Sequence, residues 1–555
     1  MRRFYLLIVI ALFALGLGRR PDAFATDQPP PRRRNEGDLI ILEVSGTYEE
    51  MGRQQAELLG DELRRVYDLQ LAAHARALGR SGWSDTLLDA VGFPLWSAFG
   101  GGFEDSSFHA ELAGIAAGLG VSRVDVMRAL LALGGGSTVF AATRSATADG
   151  QALIGRNVDW DDLLGALRPV VVHYRPSNGD LDHLAAGWPL VGLPTVGVNA
   201  AGFALSFNYF ETDPQVGLWL PQWPHRRALQ TARNVAEGIE VFVSARQRGI
   251  SCFMVMADAA GDLAMVECTP SRCSVFRPQG DWFGHANHAR TPEMLAFDRY
   301  RSPDSFDRQR GIETAVERFV GALTPHLAVE VLRDRSTHAW PNASNVANLA
   351  VLNAAVVHPA SRTLWHATSA QPVAPFGSYV GVALGGDGAV PPTIPASAWF
   401  GTPGMKREVA AVAEARAALH DLSELRYAAA RQRFQSVLAE RPPVLDPQRI
   451  ALGSAYAALR AGDAAAAFEL ALPSSSPDAP TEVRIYAMSL RAVCADRLGQ
   501  RQEAARLHGE ALALIEANPQ WNVFDAVGAL AREGIAGAIA DRDPIVSYYI
   551  LRVPF

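Results

Sequence analysis

Three consecutive glycines, Gly134–Gly135–Gly136, run directly into Ser137 and a β-prone stretch, Thr138–Val139–Phe140–Ala141–Ala142. By itself Gly-Gly-Gly-Ser is loop chemistry. The residues downstream change that reading. A turn at Asp149–Gly150 separates the stretch from a second apolar run ending in Gly155–Arg156–Asn157–Val158–Asp159–Trp160, so two strands face each other as a hairpin. The chain must build a sheet around a strand that opens on a small nucleophile. Glycine at 136 leaves the preceding carbonyl unshielded and lets the backbone take unusual angles.

At 555 residues the chain is too long for one ordinary domain. Met1–Arg2–Arg3, an apolar run from Phe4 to Leu17, and Ala23–Phe24–Ala25 read as a secretory signal over 1–25. The run is short for a retained membrane anchor. The mature chain is therefore expected to begin near Thr26, secreted or periplasmic, with no stable membrane span after cleavage. Residues 26–37, rich in proline and arginine, read as a disordered lead-in. Leu39 to Val44 reads as a strand. Thr47–Tyr48–Glu49–Glu50 is a capping box opening a long helix to about Leu71. Helices are also expected near Ser106 to Gly118 and Arg123 to Leu133.

After Ser137 strands dominate: Thr138 to Thr143, Gln151 to Val158, Val170 to Tyr174, Gly202 to Tyr209, Cys252 to Ala257, Leu263 to Cys268, Cys273 to Phe276, Asn348 to Val357 and Arg362 to Ala367. Helical spacing returns at Pro224 to Arg248 and Arg308 to Arg333. That alternation suits two packed sheets with helices outside. Prolines between 391 and 405 mark a linker. From 406 to 555 the pattern is helical, and Gly462 and Gly499 stand 37 residues apart, near the tetratricopeptide period. An ordinary helical bundle is the alternative.

Net charge is −7 with no basic block beyond the N-terminus, which argues against a nucleic-acid partner. Four cysteines are too few to be a framework. Cys252 and Cys268 face each other across a hairpin centred on Ala260, either as a cross-strand disulfide or as two buried thiols. His285 and His288 lack the further ligands a metal site requires. The chain has no G-x-S-x-G elbow, S-x-x-K, H-E-x-x-H or P-loop. No cofactor is expected.

The ordered motifs between 39 and 388 resemble the acyl-coenzyme A:6-aminopenicillanic acid (isopenicillin N) acyltransferase family of N-terminal-nucleophile (Ntn) hydrolases. The choloylglycine hydrolases are a more distant likeness. The resemblance implies a four-layer αββα fold. It also implies self-cleavage before Ser137, whose hydroxyl becomes nucleophile and whose freed α-amine, of pKa about 8, becomes base. Most members carry cysteine where this chain has Ser137. An active serine enzyme, an inactive relative, or Thr138 as nucleophile therefore remain open.

The likeness assigns the remaining roles. Arg156–Asn157–Val158–Asp159 matches R-N-x-D, with Asp159 orienting the α-amine and Arg156 holding the site's charge. Asn199 to Asn208 resembles the strand that ends in an oxyanion donor, here Asn208. Gly284–His285–Ala286–Asn287–His288 resembles T-N-H, with Asn287 a second polar donor. Ser305–Phe306–Asp307–Arg308 resembles S-x-x-R, with Arg308 reaching the site and Arg310 the second choice. Trp160, Trp188, Tyr209, Trp219 and Trp223 are candidates for an apolar acyl pocket.

The expectation is an α+β chain. Residues 38–390 form the Ntn unit, with a helical pro-region over 38–136 and catalytic sheets over 137–390. A linker at 391–405 leads to a tetratricopeptide-like domain over 406–555. The expected activity is hydrolysis or acyl transfer on a small N-acyl amide or lactam-like molecule. The C-terminal helices offer a surface for a protein partner. The rival reading is a catalytically inactive binding or scaffold protein.

Overall fold

The computed structural model describes residues 29–78, 90–91, 106–130, 135–160, 167–190, 194–212, 223–245, 248–337, 343–385, 390–440 and 445–544. The signal segment lies outside these residues. Two sheets organise the described residues up to 385. The nine-stranded sheet has the order β1 (Arg32–Glu36), β2 (Leu39–Gly46), β5 (Val170–Pro176), β6 (His183–Gly187), β7 (Val196–Asn199), β8 (Phe203–Tyr209), β9 (Cys252–Asp258), β10 (Leu263–Cys268), β11 (Cys273–Phe276). The six-stranded sheet runs β12 (Trp282–His285), β3 (Gly135–Ala142), β4 (Leu153–Trp160), β13 (Val351–His358), β14 (Thr363–Ala367), β15 (Tyr379–Ala383).

The run Leu39–Ile40–Ile41–Leu42 has no polar alternation because both faces of β2 are covered. Leu39 and Ile41 enter the core between the sheets, with Val139 and Ala141 of β3. Ile40, Leu42 and Val44 face outward against α1 (Tyr48–Leu59), α2 (Asp61–Leu78), α3 (Ser106–Leu119) and α4 (Arg123–Leu130). Further along the same outer face lie α5 (Pro224–Thr231) and α6 (Val235–Ser244). After the short α7 (Pro292–Leu295), α8 (Pro303–Glu317) and α9 (Pro325–Leu332) cover the outer face of the six-stranded sheet, against Phe140 and Ala142. The layering is thus α, β, β, α.

Several expectations are corrected. The expected disordered lead-in contains a strand: β1 pairs antiparallel with β2, turning at Gly37 with φ of 61°. Arg33 ties β1 down by pairing with Glu62 and donating to the Leu58 carbonyl. The single long helix after Thr47 is two, broken at Gly60, where φ is 53°. Cys268 is disulfide-bonded to Cys273 across the next hairpin, whereas Cys252, opposite Cys268 in register, is a buried free thiol. Four further short strands, β6, β7, β12 and β15, were not expected.

The C-terminal region stacks α10 (Pro403–Ser423), α11 (Tyr427–Glu440), α12 (Pro447–Arg460), α13 (Ala464–Leu470), α14 (Thr481–Arg497), α15 (Arg501–Glu516) and α16 (Asp525–Ala536), each packed on the next. Gly462 and Gly499 turn between helices with φ of 90° and 73°. This domain is not a free appendage. Val412, Ala415 and Ala418 of α10 share one core with Ala347, Leu349 and Phe376 of the sheet unit. The segment 391–405 is held too, through the Ile394–Tyr379 bridge and Trp399 packed edge-on against Phe376.

Candidate active site

Ser137 is the third residue of β3 and pairs with Val158 of β4. Side chains alternate along a strand. Ser137, Val139 and Ala141 therefore face the gap between the sheets, while Thr138 faces the helices with Phe140. The contacts agree: Arg308 of α8 donates to Thr138 Oγ1 at 3.1 Å. Thr138 is turned away from the gap that Ser137 faces.

Arg156 lies two pairs from Ser137 along β4, opposite Val139 and on the same face. It is 1% exposed, and its Nη2 donates to Ser137 Oγ at 2.9 Å. Its Nη1 crosses the gap to the Thr195 carbonyl. Burial lowers the guanidinium pKa to about 9, against the opposing pull of Asp159. A cation donating to the hydroxyl favours the alkoxide over the neutral serine. Asn157, the next residue, points to the other face and donates to the carbonyls of Leu332 and Val346, which is a structural role.

The Ser137 N–H donates to Asn287 Oδ1 at 2.8 Å. Asn287 is held in turn: its Nδ2 donates to the Tyr209 carbonyl, and its N–H donates to Ser305 Oγ. Asn287 was expected as a donor beside the nucleophile. Its oxygen faces Ser137 instead, because both neighbours there, the Ser137 N–H and Arg308 Nη2, are donors. Asn208 is also buried, and its Nδ2 donates to the Ala286 carbonyl at 2.8 Å. That bond buttresses the segment carrying Asn287; Asn208 Oδ1 has no partner.

Arg308 is the hub. Its Nη1 donates to the Ser137 carbonyl at 2.5 Å, and its Nη2 to Asn287 Oδ1 and Asp304 Oδ2, each at 3.0 Å. Asp159 Oδ2 lies 3.5 Å from its Nη1. Arg310, the second choice, is exposed and pairs with Asp307 on the surface. Ser305 and Arg308 lie three residues apart on one helix face, so the S-x-x-R spacing grips the Asn287 segment and Ser137 together. Asp159 sits across from Gly136 in register and is 6% exposed. Burial raises its pKa to about 6, while Arg308 and the Asn348 amide pull the other way. A Cβ on Gly136 would stand 3.3 Å from both Arg308 Nη2 and Asp159 Oδ2, so glycine fits the crowding there. Asp304 and Asn348 belong to this cluster and were not anticipated.

His288 Nδ1 meets Ser305 Oγ at 2.8 Å, and burial lowers the pKa of both His288 and His285. Among the described residues no group of three His, Cys, Asp or Glu side chains could hold a metal. None of their helices is long and apolar enough to cross a membrane. Of the aromatic candidates, Tyr209 supports Asn287, and Trp223 packs on Phe108 in the core. Trp188 lines a cavity of about 20 Å³ on the far side of the nine-stranded sheet, beside the buried Glu111–Arg226 pair. That volume holds about one water. Trp219 and the Trp160 side chain lie outside the described residues.

The order of these motifs along the chain, now gathered in space, invites comparison with known families. Residues 146–371 match the acyl-coenzyme A:6-aminopenicillanic acid acyl-transferase family. The matched segment contains Arg156, Asp159, Asn208, Asn287 and Arg308, and begins nine residues after Ser137. No curated protein matches the chain. Similar solved structures include a Caenorhabditis elegans N-acylethanolamine-hydrolyzing acid amidase ortholog (15% identity, TM-score 0.30, covering 40% of this chain and 93% of that one). Penicillin V acylase from Agrobacterium tumefaciens is another (14%, 0.30, 44% and 86%). A conjugated bile acid hydrolase from Clostridium perfringens is a third (11%, 0.29, 45% and 92%). The αββα layering expected of Ntn hydrolases is the layering this chain has.

Proposed function

We propose that this chain is a secreted or periplasmic Ntn-type amide hydrolase or acyltransferase that releases its own nucleophile at Ser137. The observation that carries the reading is the double hold on Ser137: Arg156 on its Oγ, Asn287 on its N–H. In the uncut chain Ser137 Oγ attacks the Gly136 carbonyl. The Gly136–Ser137 C–N bond breaks, the acyl group moves to Oγ as an ester, and the nitrogen takes up a proton. Water then cleaves the ester, leaving a carboxylate on Gly136 and a free α-amine on Ser137.

In turnover the α-amine accepts the Oγ proton as Oγ attacks a substrate acyl carbonyl, and the leaving amine takes that proton. Water or an acceptor amine then removes the acyl group. Asn287 Oδ1 keeps the α-amine in place, and the Asp159–Arg308 pair sets the charge around it. The substrate class supported by the family match is a small N-acyl amide or lactam-like molecule. Serine in place of the cysteine expected from the resemblance favours one rival, an inactive binding or scaffold relative.

Intact mass and N-terminal sequencing of the purified protein test the proposal. A chain beginning at Ser137 is expected in the wild type and in Ser137→Cys, and none in Ser137→Ala, which should also hydrolyse no N-acyl amide. A wild type that is never cut, with Ser137→Ala indistinguishable from it, would establish the inactive reading.

A further inference from the structure

The helical C-terminal domain touches the sheet unit behind both members of the Asp159–Arg308 pair. On one side, Asn522, in the turn before α16, spans the segment that leads into α8. Its Oδ1 accepts from the Arg301 N–H and its Nδ2 donates to the Asp298 carbonyl, both at 2.7 Å. Asp298 is buried, and its carboxylate accepts from the N–H groups of Ala289 and Tyr300. The next residues, Ser302 and Asp304, open α8, and Asp304 holds Arg308. Hydrogen bonds linked by short stretches of main chain thus run from Asn522 through residues 301–304 to Arg308, and through Asp298 and Ala289 to Asn287, two residues before it.

On the other side, Arg416 of α10 donates to the Leu349 carbonyl at 3.0 Å. Leu349 and Ala347 are packed against α10, and between them Asn348 lies beside Asp159. The turn carrying Asn522 is itself anchored in its own domain: Phe524 packs on Tyr486 of α14 and on Trp521.

We infer that the helical domain is a working part of the catalytic apparatus, with Asn522 a positioning residue for Arg308 and Asn287. This rests on the proposed role of Ser137, and it assigns the tail a task within the same chain. Asn522 makes both its bonds to main-chain groups, as a neighbouring strand would, and fixes where α8 begins. Loosening that start moves Arg308 relative to the Ser137 carbonyl.

The test uses the full chain, because removing the tail uncovers the shared core around Leu349 and Phe376. Asn522→Ala should slow self-cleavage and lower kcat by roughly 2- to 30-fold with KM little changed, the range seen for coupling through a packed network. Asn522→Gln, which keeps both amide functions, should recover part of the loss. Gln520→Ala, an exposed neighbour, should behave as wild type. Hydrogen exchange should quicken over 287–308 in Asn522→Ala while the six-stranded sheet keeps its protection. Unchanged exchange there, or equal loosening everywhere, overturns the inference. Exchange is read in the Ser137→Ala background, so it decides the matter even if the wild type proves never to cut itself, which would sink only the proposed chemistry.

Discussion

Replacing Asp159 by asparagine should make the uncut chain more stable at neutral pH while impairing its chemistry. The carboxyl is 6% exposed and its pKa rises from 3.8 to about 6, with burial the largest cause. In the unfolded chain it titrates near 3.9. A carboxyl whose folded pKa is raised holds its proton more tightly in the folded state. Its contribution to stability is therefore most favourable below about pH 4 and is lost as pH rises through about 6. The difference amounts to about 3 kcal/mol, at 1.36 kcal/mol per pH unit, with the attraction to Arg308 already included. Asparagine does not ionise and escapes that cost. In a Ser137→Ala background, which keeps every molecule uncut, Asp159→Asn should gain up to about 3 kcal/mol at pH 7.5 and almost nothing near pH 4. Urea unfolding at the two pH values reads both numbers. A loss confined to pH 7.5 would show that the Asp159–Arg308 pair is a net stabiliser, and a gain independent of pH would show that ionisation of Asp159 is not its source; either would refute the reasoning.

Three further outcomes are expected. Arg308→Met should stop self-cleavage and destabilise the chain by about 3–5 kcal/mol, the cost of leaving Asp159 and Asp304 buried without their cation. Arg310→Met should change the cleavage rate by less than about twofold, because an exposed pair is worth little. A gel of the two-chain form and a chemical melt separate the two variants. Gly136→Ala should retard self-cleavage without unfolding the chain, since the added methyl stands 3.3 Å from Arg308 Nη2 and Asp159 Oδ2 and pushes both by a few tenths of an ångström. A time course after desalting from denaturant would show it.

The hairpin around Ser137 was legible because glycines, a serine, a β-prone apolar stretch and a turn follow one another between 134 and 150. The short strands β6, β7 and β12 were not. Each has four or five residues and becomes a strand only because a longer neighbour supplies its partners. β1 is Arg-Arg-Arg-Asn-Glu, a composition that signals solvent, and only its register with β2 and the Arg33 contacts make it an edge. The cysteine pairing was undecidable for a geometric reason. Cys268 lies directly across from Cys252 on one side and from Cys273 on the other.

Within the site, residue types and order announced Arg156, Asp159, Asn287 and Arg308. The polarity of Asn287 was not readable, because it depends on which donors surround the amide after folding. Asp304 and Asn348 carry no motif of their own. They matter through proximity to Arg308 and Asp159, which the chain creates only when α8 and the 345–350 segment close over the strand ends.

The parallel pairing of β2 with β5 spans the Gly136–Ser137 junction: Ile40 to Gly46 lie beside Val170 to Pro176. A cut at that junction leaves the strands paired but changes the order of the unfolding reaction. The uncut chain unfolds to one molecule and refolds at a rate that ignores its concentration. The cut form unfolds to two, so its melting temperature should climb with protein concentration, and a dilute sample once melted should fail to recover. Self-cleavage would thus turn a reversible fold into one assembled a single time, with the peptide bond serving as the template for a partnership it does not survive.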